Sequence, residues 1–178
     1  LELQAMHTAP HISVVVPVMN EEDNLPLLLD QISTALSGYQ PGFEVLFVDD
    51  GSTDTSPSVI QGLAASNPRV RHILFGENNG QSAAFMAGFK AAAGEVIVTM
   101  DADLQNDPAD IPLLLAEYAK GVDMVVGWRA RRKDSWAKRM ASKIGNAVRN
   151  RFSNVRIHDT GCSLKLMRAE MIKRVPMF

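Results

Sequence analysis

The chain has 178 residues, 46% apolar and 21% charged, a composition ordinary for one globular domain that excludes a disordered tract or a fibrous repeat. Its net charge of −2 conceals two regions of opposite sign: residues 1–128 hold 4 Lys/Arg against 17 Asp/Glu, and residues 129–178 hold 14 against 3. A single cysteine, Cys162, excludes a disulfide framework and a cysteine zinc site and suits a reducing compartment.

Residues 1–11 read as a tail. Ile12–Val18 is β-branched and almost continuously apolar, as a strand buried on both faces must be. After the polar turn Asn20–Asn24, apolar residues at 25, 28, 29, 32, 35 and 36 keep a helical spacing that Gly38 closes. Phe43–Val48 is a second strand, leading into Asp49-Asp-Gly-Ser-Thr-Asp54; a helix over about 56–66 stops before Pro68. Val70–Phe75, Glu95–Met100 and Asp123–Val126 read as three further strands, separated by an alanine-rich helix over 80–93 and a helix over 109–120. Beyond them, residues 135–152 alternate basic and small apolar residues at helical spacing. Gly161–Leu166 is then expected as a strand, and Ala169–Arg174 as a short helix.

Strands alternating with helices, through connections too long for hairpins, imply a mostly parallel sheet covered on both faces. Ligands of such sheets bind beyond the carboxyl ends of the strands. The polar clusters of this chain fall at those ends: Asn20-Glu21, Asp49-Asp50, and Asp101 with Asp103. The basic stretch Arg129–Arg156 carries ten Lys/Arg against Asp134 alone. It is either a solvated helix face or a surface for phosphates or anionic lipid.

Several chemistries are excluded. No GxxxxGK[ST] loop, GxGxxG after the first strand, HExxH or GxSxG occurs, and His7, His11, His72 and His158 have no metal-ligand spacing. Asp101-Ala-Asp103 can converge on a hard divalent cation that takes its remaining ligands from water and substrate phosphate. The same pair could instead serve a helix cap. Asp49-Asp50-Gly51-Ser52 can present a carboxylate to a nucleobase or ribose, or be an ordinary Asp-Gly turn.

Taken together, Val16-Pro17 with Asn20-Glu21, Val48–Asp54, Met100–Gln105, Gly80–Ala84 with Ala87-Gly88-Phe89, Gln105–Pro108, Gly127–Arg129 and His158–Lys165 resemble the family 2 glycosyltransferases of the GT-A fold. The nearer likeness is to the polyprenyl-phosphate branch that includes dolichyl-phosphate mannose synthase. The resemblance runs over about 12–174. It implies an α/β, Rossmann-like GT-A architecture, with residues 12–178 as one catalytic domain cut short at its C-terminus and with membrane helices missing. Two stretches depart from the pattern: Met19 stands where an aromatic residue is usual, and Gly76–Asn79 replaces a basic, aromatic-containing segment.

The resemblance also assigns roles. Pro17, Asn20, Glu21, Asp49, Asp50, Gln81 and Asp101 would bind the nucleotide-sugar, and Asp101, Asp103 and Gln105 a Mg²⁺ or Mn²⁺. Asp103, Asp159 and Arg129 would be catalytic, with Asp159 as base or orienting group. Arg129, Lys138, Arg139 and Ser142 would hold the acceptor phosphate. A phosphate monoester is already largely dianionic at neutral pH, so it needs no strong base. Direct attack on the anomeric carbon implies inversion. The implied partners are a UDP- or GDP-sugar, a polyprenyl phosphate and the cytoplasmic face of a membrane, with no nucleic acid, and with a homo-oligomer left open. A saccharide acceptor, or a catalytically silent binding module, is the alternative.

Overall fold

The computed structural model describes residues 11–40, 42–128 and 161–175. Its elements, in chain order, are β1 (Ile12–Val18), α1 (Leu25–Ala35), β2 (Phe43–Asp49), α2 (Ser56–Ser66), β3 (Val70–Leu74), α3 (Gln81–Ala91), β4 (Val96–Thr99), a 3₁₀ turn (Pro108–Asp110) running into α4 (Ile111–Tyr118), β5 (Met124–Val126), β6 (Lys165–Arg168) and α5 (Ala169–Ile172). The six strands form one sheet in the order β3-β2-β1-β4-β6-β5. β1 pairs in parallel with β2 and with β4, and β2 with β3, whereas β6 runs antiparallel to β4 and to β5. The expectation of a mostly parallel sheet flanked by helices therefore holds. The strand expected at 161–166 lies later, at Lys165–Arg168, because its start is set by pairing with Val96–Thr99 rather than by its own composition.

Every residue of β2 is buried, and in β1 only Pro17 is not. Alternate side chains enter two cores on opposite faces. Val14, Val16, Phe43, Val45 and Phe47 join the α1 residues Leu25, Leu28 and Ile32. Val15, Leu46 and Val48 join Ala84 and Phe89 of α3. Helix α3 lies close enough that a Cβ on Gly88 would stand 2.3 Å from Val15 Cγ1, which accounts for the small-residue face of that helix. At the amino ends of the strands, buried Glu44 accepts from the Ser13 hydroxyl (2.5 Å), the Ala93 N–H (2.7 Å) and the Arg71 guanidinium (2.8 Å). The chain from β2 leads outward to β3, and the next strand to join the sheet, β4, sits on the other side of β1. The order thus reverses at β1, and a crevice opens there beyond the carboxyl ends of the strands.

His11, counted with the tail, is engaged: its N–H donates to Gly42 O (3.0 Å) and its ring stacks on Tyr39 at 6.0 Å. The basic stretch 135–152 lies outside the described residues. Among the described residues no helix is long and apolar enough to cross a membrane.

Candidate functional site

A cavity of about 400 Å³ opens at that crevice. It is lined by Pro17 near the end of β1, Met19 and Glu21 after it, Asp50 after β2, Asn78, Gly80 and Gln81 before and at the start of α3, and Asp101 and Asp103 after β4. Carboxylates from three separate strand ends therefore face one space. Loop interlocking holds them there. The Asn20 side-chain oxygen accepts from the N–H of Thr53 (2.8 Å) and Asp54 (3.3 Å), and the N–H groups of Asn20 and Glu21 donate to the hydroxyls of Ser52 and Ser56, each at 2.9 Å. Glu22 accepts from the Thr55 N–H (2.7 Å) and hydroxyl. Burial tends to raise the Asp54 carboxyl, but hydrogen bonds from the Ser56 hydroxyl and N–H and the Glu22 N–H outweigh it and leave the group below its ordinary value. Asn20 adopts φ +56°, a left-handed conformation that asparagine tolerates better than most residues.

The two adjacent acids after β2 have different tasks. Asp49 shares the parity of Phe47 and is 1% exposed; one of its carboxylate oxygens accepts from the N–H groups of Gly51 (3.1 Å) and Ser52 (3.0 Å). It is a turn-former and does not line the cavity, while its other oxygen is buried without a hydrogen-bond partner among the described residues. Asp50 faces the cavity, and one of its oxygens accepts from the Asn79 N–H at 2.8 Å. That bond draws the loop 76–80 over the turn at Gly51. Gly51 has φ +75°, and a Cβ there would stand 2.4 Å from Glu77 C.

After β4, Asp101 accepts from the Gln81 side-chain amide at 2.9 Å, and Asp103 from the N–H of Gln105 at 3.1 Å. The intervening Leu104 has φ +58°, a strained backbone of the kind that accumulates at functional sites. The helix-cap alternative for this acid pair does not apply, since Asp107 performs that task by accepting from the Ala109 N–H at 2.9 Å.

The structure thus brings Pro17, Glu21, Asp50, Gln81, Asp101 and Asp103 together. It does not bring Asn20, Asp49 or Gln105 to the cavity. Asn20 spends its side-chain oxygen, and Asp49 one of its two, on the loop backbone, and Gln105 lines a different cavity with Asn106 and Asp110. Arg129, Lys138, Arg139, Ser142 and Asp159 lie outside the described residues. Asn78 was not singled out from sequence; it lines the cavity and its amide contacts Met19 Sδ at 3.6 Å, so the two departures from the family pattern meet on one rim. Two carboxylates on a strand-end loop suit a hard cation that completes its shell with water and phosphate. Among the described residues no cluster of three or more His, Cys, Asp or Glu could hold a metal by itself.

Chemically, this is an acidic, open cavity at the switch point of an α/β sheet, faced by a helix start whose first N–H groups lack intrahelical acceptors. The sequence matches the family described as Glycosyl transferase family 2 over residues 13–175, and the chain belongs to that family. Among solved structures it resembles glucosyl-3-phosphoglycerate synthase from Mycobacterium tuberculosis in complex with phosphoglyceric acid, with a TM-score of 0.72 and 22% identity, over 94% of this chain and 60% of that one. It also resembles a mannosyltransferase from Pyrobaculum calidifontis in complex with GDP-Man and Mn²⁺, with a TM-score of 0.66 and 23% identity, over 94% of this chain and 47% of that one. A complex of the Mycobacterium tuberculosis synthase with Mn²⁺, UDP and glucosyl-3-phosphoglycerate matches with a TM-score of 0.72 and 21% identity, again over 94% and 60%. At these identities the likeness is one of fold, the GT-A architecture. The chain spans between 47% and 60% of the length of these proteins.

Proposed function

We propose that this chain is the donor-binding part of an inverting glycosyltransferase that moves a sugar from a UDP- or GDP-sugar to a polyprenyl phosphate at the cytoplasmic face of a membrane. Residues 12–178 belong to its catalytic domain, of which they are an incomplete part. The observation that carries the reading is the convergence of Glu21, Asp50, Asp101 and Asp103 from three strand ends on one cavity. Membership of glycosyl transferase family 2 supports it, as do structural neighbours described with UDP or GDP-Man and Mn²⁺.

In this reading Asp50 and Glu21 accept hydrogen bonds from the base and ribose, with Pro17 and Met19 as the apolar wall. The start of α3 at Gln81 offers N–H groups that lack intrahelical acceptors and a partial positive charge to the diphosphate. Asp101 and Asp103 would hold Mg²⁺ or Mn²⁺, which when bound neutralises charge on a departing nucleoside diphosphate. Gln81 holds the Asp101 carboxylate in orientation, and the Gln105 N–H does the same for Asp103. Arg129, Lys138, Arg139 and Ser142 are assigned to the acceptor phosphate and Asp159 to its orientation. Positioning of a phosphate that is already nucleophilic then replaces a general base.

Titration calorimetry with UDP and GDP, with and without Mn²⁺, tests the donor site. The expected outcome is nucleotide binding strengthened by Mn²⁺, with that gain lost in Asp103→Asn while the fold is retained. An Mn²⁺ gain unaltered by Asp103→Asn refutes the assignment.

A further inference from the structure

A second cavity, of about 310 Å³, lies beside the first, and the two share Gln81 and Asp101. The hydrogen bond between these side chains is therefore a partition with a ligand space on each side. The second space is built differently. Phe85 and Phe89 of α3, stacked with ring centroids 5.7 Å apart, form one wall. Met167 of β6, Met124 of β5 and Ile172 of α5 also line it. The trough exists because α3 packs on β1 and β2, so the same sheet face beyond β4 lies outside its footprint.

Among the described residues, one cation lines this space. Lys165 opens β6, and its cross-strand partner is Thr99, two residues before Asp101. Parity puts Lys165 and Met167 on the α3 face of the sheet, while Leu166 enters the opposite core. The ammonium has no hydrogen-bond or ion-pair partner among the described residues. A half-buried lysine with no partner among the described residues, lining one space with Phe85, Phe89, Met124, Met167 and Ile172, is complementary to a ligand with one anionic head and an apolar tail. At 310 Å³ the space is at the lower end of ordinary ligand pockets.

We propose that this trough receives the head of the lipid acceptor, with the Lys165 ammonium on its phosphate and the Phe85, Phe89, Met124 and Met167 side chains against the first part of its hydrocarbon chain. This rests on the polyprenyl-phosphate reading above and adds to it a place and a cation. The phosphate then lies across the Gln81–Asp101 partition from the donor cavity.

The test is calorimetric titration of the chain with farnesyl phosphate, farnesol and glycerol 3-phosphate, in the presence of Mn²⁺ and UDP or GDP. Farnesyl phosphate is expected to bind most tightly. Lys165→Met, which keeps an unbranched stem one atom shorter and removes the charge, should weaken farnesyl phosphate about tenfold or more, the loss typical of one hydrogen bond to a charged group, and leave farnesol unchanged. Met124→Glu, at an exposed position, should weaken both prenyl ligands and leave the nucleotide unaffected. If farnesyl phosphate binds and neither variant alters it, the placement is overturned while the acceptor reading stands. If no prenyl phosphate binds, both fall. Glycerol 3-phosphate binding as tightly as farnesyl phosphate, and weakened equally by Lys165→Met, overturns the apolar occupant.

Discussion

Replacing Gly51 by alanine tests whether the loops after β2 and β3 are locked together as described. Two costs follow. At φ +75° any residue with a Cβ pays about 1–2 kcal/mol for a left-handed backbone. The new methyl group would also stand 2.4 Å from Glu77 C and 2.6 Å from Asn78 N, which are backbone atoms with no rotamer to yield. The loop 76–80 must move, and the Asn79 N–H then leaves the buried Asp50 carboxylate it meets at 2.8 Å. A hydrogen bond to a charged acceptor contributes about 1.5–3 kcal/mol. The combined loss is roughly 3–5 kcal/mol. Gly121 supplies an internal control: its φ is +91°, but no atom lies within 4 Å of a Cβ built there, so Gly121→Ala carries the backbone cost alone, about 1–2 kcal/mol. Urea unfolding, with the slope unchanged between variants, reads both values. Nucleotide titration should also show weaker binding for Gly51→Ala, because Asn78 and Gly80 line the donor cavity, and no change for Gly121→Ala. Equal destabilisation of the two variants would refute the contact between the loops.

Two further outcomes follow from polar groups outside the cavity. Glu44→Leu leaves the Ser13 hydroxyl and the Ala93 N–H without their acceptor and should cost about 3 kcal/mol or more. Arg71→Leu, at a half-exposed partner of the same carboxylate, should cost about 1 kcal/mol or less; urea unfolding that gives the reverse order would sink the network. Asp54, with a folded value below its ordinary 3.8, contributes stability that is fully present above that value and lost as pH falls through the folded one. The amide resonances of Glu22 and Ser56, which donate to it, should therefore titrate together with a midpoint below 3.8, and a midpoint at or above that value contradicts the loop geometry.

Much of the fold was legible in one dimension. β-branched runs such as Ile12–Val18 state their own burial, and apolar spacing at 25, 28, 29 and 32 states its own helix. These signals are local, because they arise from the 2-residue and 3.6-residue periods of the backbone. The acids at three strand ends were visible for the same reason, since a strand end is a local event.

What the tertiary structure alone decided is non-local. Sequence could not separate Asp49 from Asp50, because which of two neighbours faces a cavity depends on the pleat and on what covers each face. Nor could it withhold Asn20 and Gln105 from the site, since the backbone N–H groups that occupy Asn20 come from residues more than thirty positions away and Gln105 turns aside at a left-handed Leu104. The antiparallel insertion of β6 between β4 and β5 has no signature in Lys165–Arg168 itself. Its register with Val96–Thr99 sets Lys165 opposite Thr99, and so brings to the second cavity a cation that composition alone assigns to a general basic region.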